Sequence, residues 1–152
     1  ELVTRNPVAD LDTALKARRP GHNAWIPISE IPAFYKALER AGSVQIQTAI
    51  RLLILTALRT AELRLCRWEW INLEDATSTL PAEVMKARRP HVVPLSRQAV
   101  ELLQDQFTRS GYSAFVFPGR FMDKPLSASA ILKALERIGY KSRATGHGWR
   151  TT

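Results

Sequence analysis

The feature that most constrains the fold is the stretch of residues 44–58, which is apolar on most sides of a helix. A surface helix would keep one polar face, so this pattern predicts a helix buried at the centre of a domain. Arg51 and Arg59 interrupt the apolar run, which falls well short of the ~20 residues that a membrane span requires. The sequence therefore predicts a core built around one helix, with no membrane-spanning segment.

Helical periodicity returns on both sides of this central stretch, which indicates further helices around it. A short helix is expected over residues 61–67, directly after Arg59. Serine side chains are well suited to accept hydrogen bonds at helix starts. Caps are predicted at Ser29, Ser96 and Ser127.

Three short segments rich in β-branched and aromatic residues, 70–73, 77–80 and 91–95, are separated by turn residues. This pattern predicts a small antiparallel sheet of three strands. Residues 86–90 fall in the connection before the third strand. The predicted fold class is α+β and mainly helical.

The beginning of the chain differs from the rest in composition. Residues 1–24 contain Pro7, Pro20 and Gly21 together with a basic cluster, which is typical of a linker or of the tail of a preceding module. We therefore expect one folded domain over residues 25–152.

The charge balance points to a polyanionic partner. The 22 Lys and Arg residues outnumber the 14 Asp and Glu residues, which gives a formal net charge of +8. Nucleic acid heads the possible partners, although secreted and membrane-surface proteins share such a balance. Cys66 is the only cysteine, so no internal disulfide or cysteine metal cluster can form. A reducing cytoplasm is the expected location.

Three separated motifs carry the chemical information: ALRTAEL at residues 57–63, MKARRPH at 85–91 and TGHGWR at 145–150. Together, in this order and spacing, they resemble the tyrosine recombinases, and among these the phage integrases. The resemblance covers nearly the whole chain and implies the small-sheet catalytic-domain fold of that family. It also implies breakage and rejoining of double-stranded DNA through a 3′-phosphotyrosyl intermediate. No metal, cofactor, small-molecule substrate or membrane partner is implied.

Cleaving a phosphodiester requires neutralised non-bridging oxygens and a proton donor for the departing 5′ oxygen. By resemblance, Arg59 and Arg150 clamp the phosphate, since a guanidinium matches two phosphate oxygens at once. Lys86 is the implied proton donor. His147 lies three residues before Arg150, so on a helix both side chains reach one face.

Four further residues are expected to support this site. Glu62, three residues after Arg59, is placed to orient it, and His91 is interpreted as a structural histidine or as a supporting group beside the sheet. Arg88 and Arg89 are candidate contacts to the DNA backbone. Taken singly, an arginine at a helix end or a lysine in a basic connection would be a solvated charge, so the assignment depends on the joint match.

The family's nucleophile is a tyrosine located beyond the HxxR motif, whereas this sequence ends at Thr152. Tyr35, Tyr112 and Tyr140 all precede His147, and each has a structural explanation. We therefore expect a truncated catalytic domain that binds DNA without cleaving it. Loss of the following helices would leave an apolar surface, which favours self-association.

Two functional classes remain open. The parent protein is either a site-specific recombinase or a non-cleaving DNA-binding or scaffolding module derived from the same fold. A proton donor placed beside a phosphate clamp favours the recombinase, because a pure binding module does not require one.

Overall fold

The computed structural model describes residues 26–141 and 143–144 of the chain. Within these residues, five α-helices surround a core and one three-stranded antiparallel sheet lies beside it. The mainly helical α+β fold class is confirmed. The helices are α1 (Ile31–Leu38), α2 (Val44–Thr56), α3 (Thr60–Arg64), α4 (Arg97–Ser110) and α5 (Ala130–Arg137), and the strands are β1 (Ile71–Asn72), β2 (Thr77–Leu80) and β3 (His91–Pro94).

Helix α2 forms the centre of the core, as its apolar pattern predicts. Its buried side chains include Ala49, Ile50, Leu52 and Leu53, and α3, α4 and α5 all pack against it. The Ser43 hydroxyl caps its start by accepting a hydrogen bond from the backbone of Ile46. Its exposed side chains are confined to a few positions such as Val44 and Leu55, which is consistent with its single charged residue, Arg51.

The predicted helix caps have mixed outcomes. The Ser96 hydroxyl accepts a 3.2 Å hydrogen bond from the Ala99 backbone and caps α4, as expected. The caps predicted at Ser29 and Ser127 are wrong. The cap residues of α1 and α5 are instead Glu30 and Ser129, and neither makes a side-chain cap hydrogen bond. In both places a tight backbone turn precedes the helix and satisfies amide groups that a serine hydroxyl would otherwise bind.

The sheet has the three predicted antiparallel strands, and their order is β1-β2-β3. Leu80 pairs with His91 and Ser78 with Val93. Leu80 and Val93 are buried, so the sheet packs one face on the core. Residues 81–90 connect β2 to β3 and contain a single 3-10 turn, Ala82–Val84.

No helix among the described residues is long and apolar enough to cross a membrane. The linker predicted over residues 1–24 lies outside the described residues, as do His147 and Arg150.

Candidate functional site

The end of α2 determines where Arg59 lies. Ala57 adopts a left-handed backbone conformation, with φ of 51°, and stops the helix. Leu58 is then buried, and Arg59 is extended at the start of α3. This abrupt reversal places the Arg59 side chain at the rim of a cleft instead of in the core.

Glu62 holds Arg59 at two points. Its Oε2 atom accepts a 2.8 Å hydrogen bond from the Arg59 backbone amide, and its Oε1 atom lies 2.5 Å from Arg59 Nη1. Glu62 is only 4% exposed, whereas the Arg59 side chain is 34% exposed. A buried carboxylate therefore fixes both the backbone and the guanidinium of a residue that remains accessible to solvent.

The cleft beside Arg59 has a volume of about 750 Å³. One side, which we call the α3 wall, consists of Arg59 and Glu62. The opposite side, the connection wall, comes from the segment between β2 and β3. It consists of Ala82, Glu83, Val84, Met85, Lys86 and Arg88. The fold thus brings two of the three sequence motifs to one place.

The two walls differ in how firmly their charges are held. Lys86 and Arg88 are exposed, and neither forms a hydrogen bond or ion pair with any other described side chain. Arg88 has a left-handed backbone, with φ of 50°, in a turn closed by its amide and the Met85 carbonyl. The connection wall therefore presents two cations that are ready to bind an anion.

Sequence reasoning missed Glu83, which also lines the cleft. It lies in the turn Ala82–Val84, and no pattern in the sequence marks it, because its place in the cleft comes from the folding of the connection against α3. With Glu62 committed to Arg59, Glu83 is the remaining acidic residue facing the cations. The lining residues carry three positive and two negative side chains, so the cleft favours an anion.

Two of the predicted residues do not line the cleft. Arg89 is exposed within the connection, and His91 is exposed at the start of β3, opposite Leu80. Their expected roles stay predictions.

The tyrosines lie in other surroundings. Tyr140 is buried with its ring 5.0 Å from that of Phe34, and Tyr112 is exposed in the turn after α4. Tyr35 is partly buried on α1, which raises the pKa of its hydroxyl, while nearby Arg51 lowers it. None of the three lines the cleft.

The chain is similar to known proteins over nearly its whole length. Residues 24–152 match the sequence profile described as the phage integrase family. The chain is 99% identical over 152 residues to prophage integrase IntZ of Escherichia coli K12, covering all of this chain and 38% of that protein. It is 42% identical over 149 residues to the integrase of Shigella phage Sf6, covering 95% of this chain and 38% of that protein. The chain thus spans about two fifths of the length of these relatives.

A solved structure with the same fold is the Tn1549 transposon integrase in complex with transposon right end DNA. The TM-score is 0.70 at 14% identity, over 97% of this chain and 57% of that one. At this identity the likeness shows the fold alone. The profile match over nearly the whole chain, together with the sequence relatives, shows that the chain belongs to the phage integrase family.

Proposed function

We propose that the chain is the catalytic-domain part of a site-specific DNA recombinase, and that its cleft holds the phosphate at which DNA is cut. The observation that carries the proposal is the meeting of Arg59 and Lys86 across one cleft, with Arg59 fixed by Glu62. These two residues come from separate motifs of the sequence, and the fold brings them to one cleft. A phosphodiester is the ligand that matches a fixed guanidinium facing an ammonium.

Arg59 has the role of a phosphate clamp in this proposal. Glu62 accepts from its Nη1 atom, so the other guanidinium donors remain to bind non-bridging oxygens. Because the guanidinium is held before DNA arrives, little reorganisation is required as negative charge develops. His147 and Arg150 complete the clamp in the proposal.

Lys86 has the role of proton donor. A tyrosine oxygen, whose proton is released to solvent, forms a bond to phosphorus while the bond from phosphorus to the 5′ oxygen breaks. The Lys86 ammonium supplies the proton that the departing 5′ oxygen takes. The new phosphotyrosyl bond retains the energy required for rejoining, so no cofactor is consumed. Arg88 and Arg89 contact the neighbouring DNA backbone, and His91 supports the connection from β3.

The attacking tyrosine belongs to another part of the full-length protein. This proposal is supported by the positions of Tyr35, Tyr112 and Tyr140, none of which lines the cleft. It follows that the 152-residue chain binds duplex DNA but does not cut it.

The binding half of the proposal is tested by fluorescence anisotropy with a labelled duplex at about 50 and about 200 mM salt. Affinity should fall steeply as salt rises, because bound phosphates release counterions. Arg59→Ala should weaken binding about tenfold or more, since a hydrogen-bonded charge pair is lost. Arg59→Lys keeps the charge without the planar fork and should lose part of that affinity.

Arg97→Ala is the matched control, because Arg97 is 85% exposed and does not line the cleft. It removes the same charge and should have the smaller effect. Equal losses from Arg59→Ala and Arg97→Ala would contradict a specific phosphate site, and absence of binding at low salt would contradict the function as a whole.

The cleavage half is tested on a nicked suicide duplex, with denaturing gels to detect protein–DNA adducts. The 152-residue chain should form none, whereas a longer chain that continues past Thr152 should form one. An adduct mapped to Tyr35, Tyr112 or Tyr140 would overturn the proposed source of the nucleophile. Absence of an adduct from the longer chain would favour the non-cleaving binding module.

A further inference from the structure

The segment between α4 and α5 contains a closed loop, residues 118–125, that the proposed cleft does not use. Pro118 and Pro125 pair as an antiparallel bridge at its base. The Gly119 amide donates to the Lys124 carbonyl at 2.7 Å, and the Lys124 amide donates to the Phe121 carbonyl at 3.0 Å. A Cβ on Gly119 would lie 2.8 Å from the Pro125 carbonyl oxygen, so this close approach requires glycine.

Two side chains from elsewhere in the fold anchor the 118–125 loop. Gln45, at the start of α2, donates from its amide to the Pro118 carbonyl at 2.7 Å. The Ser113 hydroxyl donates to the Met122 carbonyl at 2.8 Å, close to the tip. Backbone hydrogen bonds and these two anchors together give the tip a defined position.

This defined tip presents apolar side chains to solvent. Phe121 is 62% exposed and Met122 is 38% exposed. Arg120 and Lys124 flank them, and the Lys124 ammonium lies 5.9 Å from the centre of the Phe121 ring. Asp123 is the one acidic residue of the tip, which leaves the tip with a net positive charge. An exposed aromatic ring between two cations suits a ligand with both phosphates and flat apolar faces.

The 118–125 loop is also linked to the cleft. Arg64 Nη1 donates to the carbonyl of Leu126, the residue that follows the loop, at 2.9 Å. Arg64 is the last residue of α3, and Arg59 immediately precedes the first. Five helical residues span about 7.5 Å. The phosphate cleft and the base of the loop therefore lie at the two ends of one short helix, close enough for a single duplex to contact both.

We propose that Phe121 inserts into the minor groove of the duplex bound at the Arg59 cleft, with Arg120 and Lys124 on the phosphates at either side. The minor groove, about 6 Å wide, admits a narrow loop tip but not a helix. Apolar side chains inserted there partly unstack a base step and bend the duplex. This proposal depends on the proposed function, because it requires the same DNA in the cleft. The flanking cations favour DNA over a second copy of this strongly basic chain.

The test places 2-aminopurine at successive positions of a duplex that the 152-residue chain binds, because its fluorescence rises when base stacking is lost. One step, or two adjacent steps, should brighten on binding, and Phe121→Ala should abolish the rise. The same substitution should weaken binding by at least about fivefold, as expected for loss of one stacked aromatic ring. Phe121→Trp should keep both the rise in fluorescence and the affinity.

Ile28→Ala is the matched control, because Ile28 is also an exposed apolar residue, at 76%, but has no flanking cations. It should change neither signal. If no step brightens while Arg59→Ala still weakens binding more than Arg97→Ala, the insertion is wrong and the proposed function stands. If neither result is obtained, the proposed function fails and the insertion fails with it. Sedimentation could show instead that Phe121→Ala converts a dimer to a monomer, while the unsubstituted chain gives no 2-aminopurine response. That result would assign the loop to contact with a second copy and overturn the proposal.

Discussion

The two walls of the cleft present the same kind of charge in opposite ways. On the α3 wall, Arg59 is fixed at its backbone and at its guanidinium by one buried carboxylate. On the connection wall, Lys86 is exposed and makes no polar contact with any other described residue. Both positive charges line one cleft, but only Arg59 is positioned by the fold.

This difference matches the two tasks in the proposed reaction. A group that stabilises developing charge is most effective when it is fixed beforehand, because no energy is spent on reorienting it. A proton donor is needed only when the 5′ oxygen departs, so it can reach its position after DNA has bound. In the proposed reaction, Lys86 takes its position after DNA has bound, whereas Arg59 is already held in place by Glu62.

The largest expected effect is a difference in the rate of thiol labelling between a cysteine close to α3 and one in the connection. Cys66 is buried two residues after α3, and burial raises the pKa of its thiol from 9.0 to about 11, so the reactive thiolate is scarce. Ala87 is exposed in the connection. In the Ala87→Cys variant, a thiol reagent should label the new cysteine rapidly. It should label Cys66 at least roughly 10³-fold more slowly, because the Cys66 thiol becomes accessible only when the protein unfolds.

Mass spectrometry at timed quenches measures both rates in one sample, and labelling in denaturant is the control in which the two sites should become similar. Comparable rates under native conditions would mean that the region behind the α3 wall opens as easily as the connection.

The next effect concerns stability. Glu62→Ala removes the acceptor for two hydrogen bonds from Arg59 and should lower the free energy of unfolding by about 1–3 kcal/mol. Lys86→Ala removes no polar contact with another described residue and should change this free energy by less than about 0.5 kcal/mol. Urea unfolding followed by tryptophan fluorescence measures both.

Glu62→Gln is the conservative control, because it keeps one acceptor oxygen for the Arg59 amide and replaces the other oxygen, together with the charge, by an NH2 donor. Its loss of stability should fall between those of Glu62→Ala and Lys86→Ala. A stability loss for Lys86→Ala as large as that for Glu62→Ala would show that the connection wall is also part of the folded framework.

The smallest expected effect compares glycine substitutions at two residues that have nearly the same backbone strain. Ala57 and Arg88 have φ values of 51° and 50°, in the left-handed region that glycine adopts without penalty. Ala57 is locked between α2 and α3, so Ala57→Gly should stabilise the fold by about 0.5–1 kcal/mol. Arg88 lies in the exposed connection, where strain can relax, so Arg88→Gly should shift stability by less than about 0.5 kcal/mol.

Thermal melting of the two variants beside the unsubstituted chain measures this difference. A larger gain from Arg88→Gly than from Ala57→Gly would reverse the comparison of the two walls.

The sequence by itself indicated Arg59 and Lys86 only through the joint match of three distant motifs, and their chemical roles stay predictions. The central helix and the three strands, in contrast, each depend on local information. Residues 44–58 are apolar on most sides, which predicts a buried helix, and the strands follow from β-prone segments divided by turn residues. The Ser96 cap is equally local, because the serine and the Ala99 amide that donates to its hydroxyl lie within one turn.

Only the tertiary structure decided the features that join distant segments. The caps at Ser29 and Ser127 failed because backbone turns replaced them, and nothing in the local sequence distinguishes those serines from Ser96. Glu83 became a cleft residue only when the connection folded against α3. Gln45 and Arg64 anchor the 118–125 loop and the residue that follows it, through bonds to carbonyls 73 and 62 residues away. A backbone carbonyl has no sequence signature, so such bonds are fixed by the packing of the whole chain.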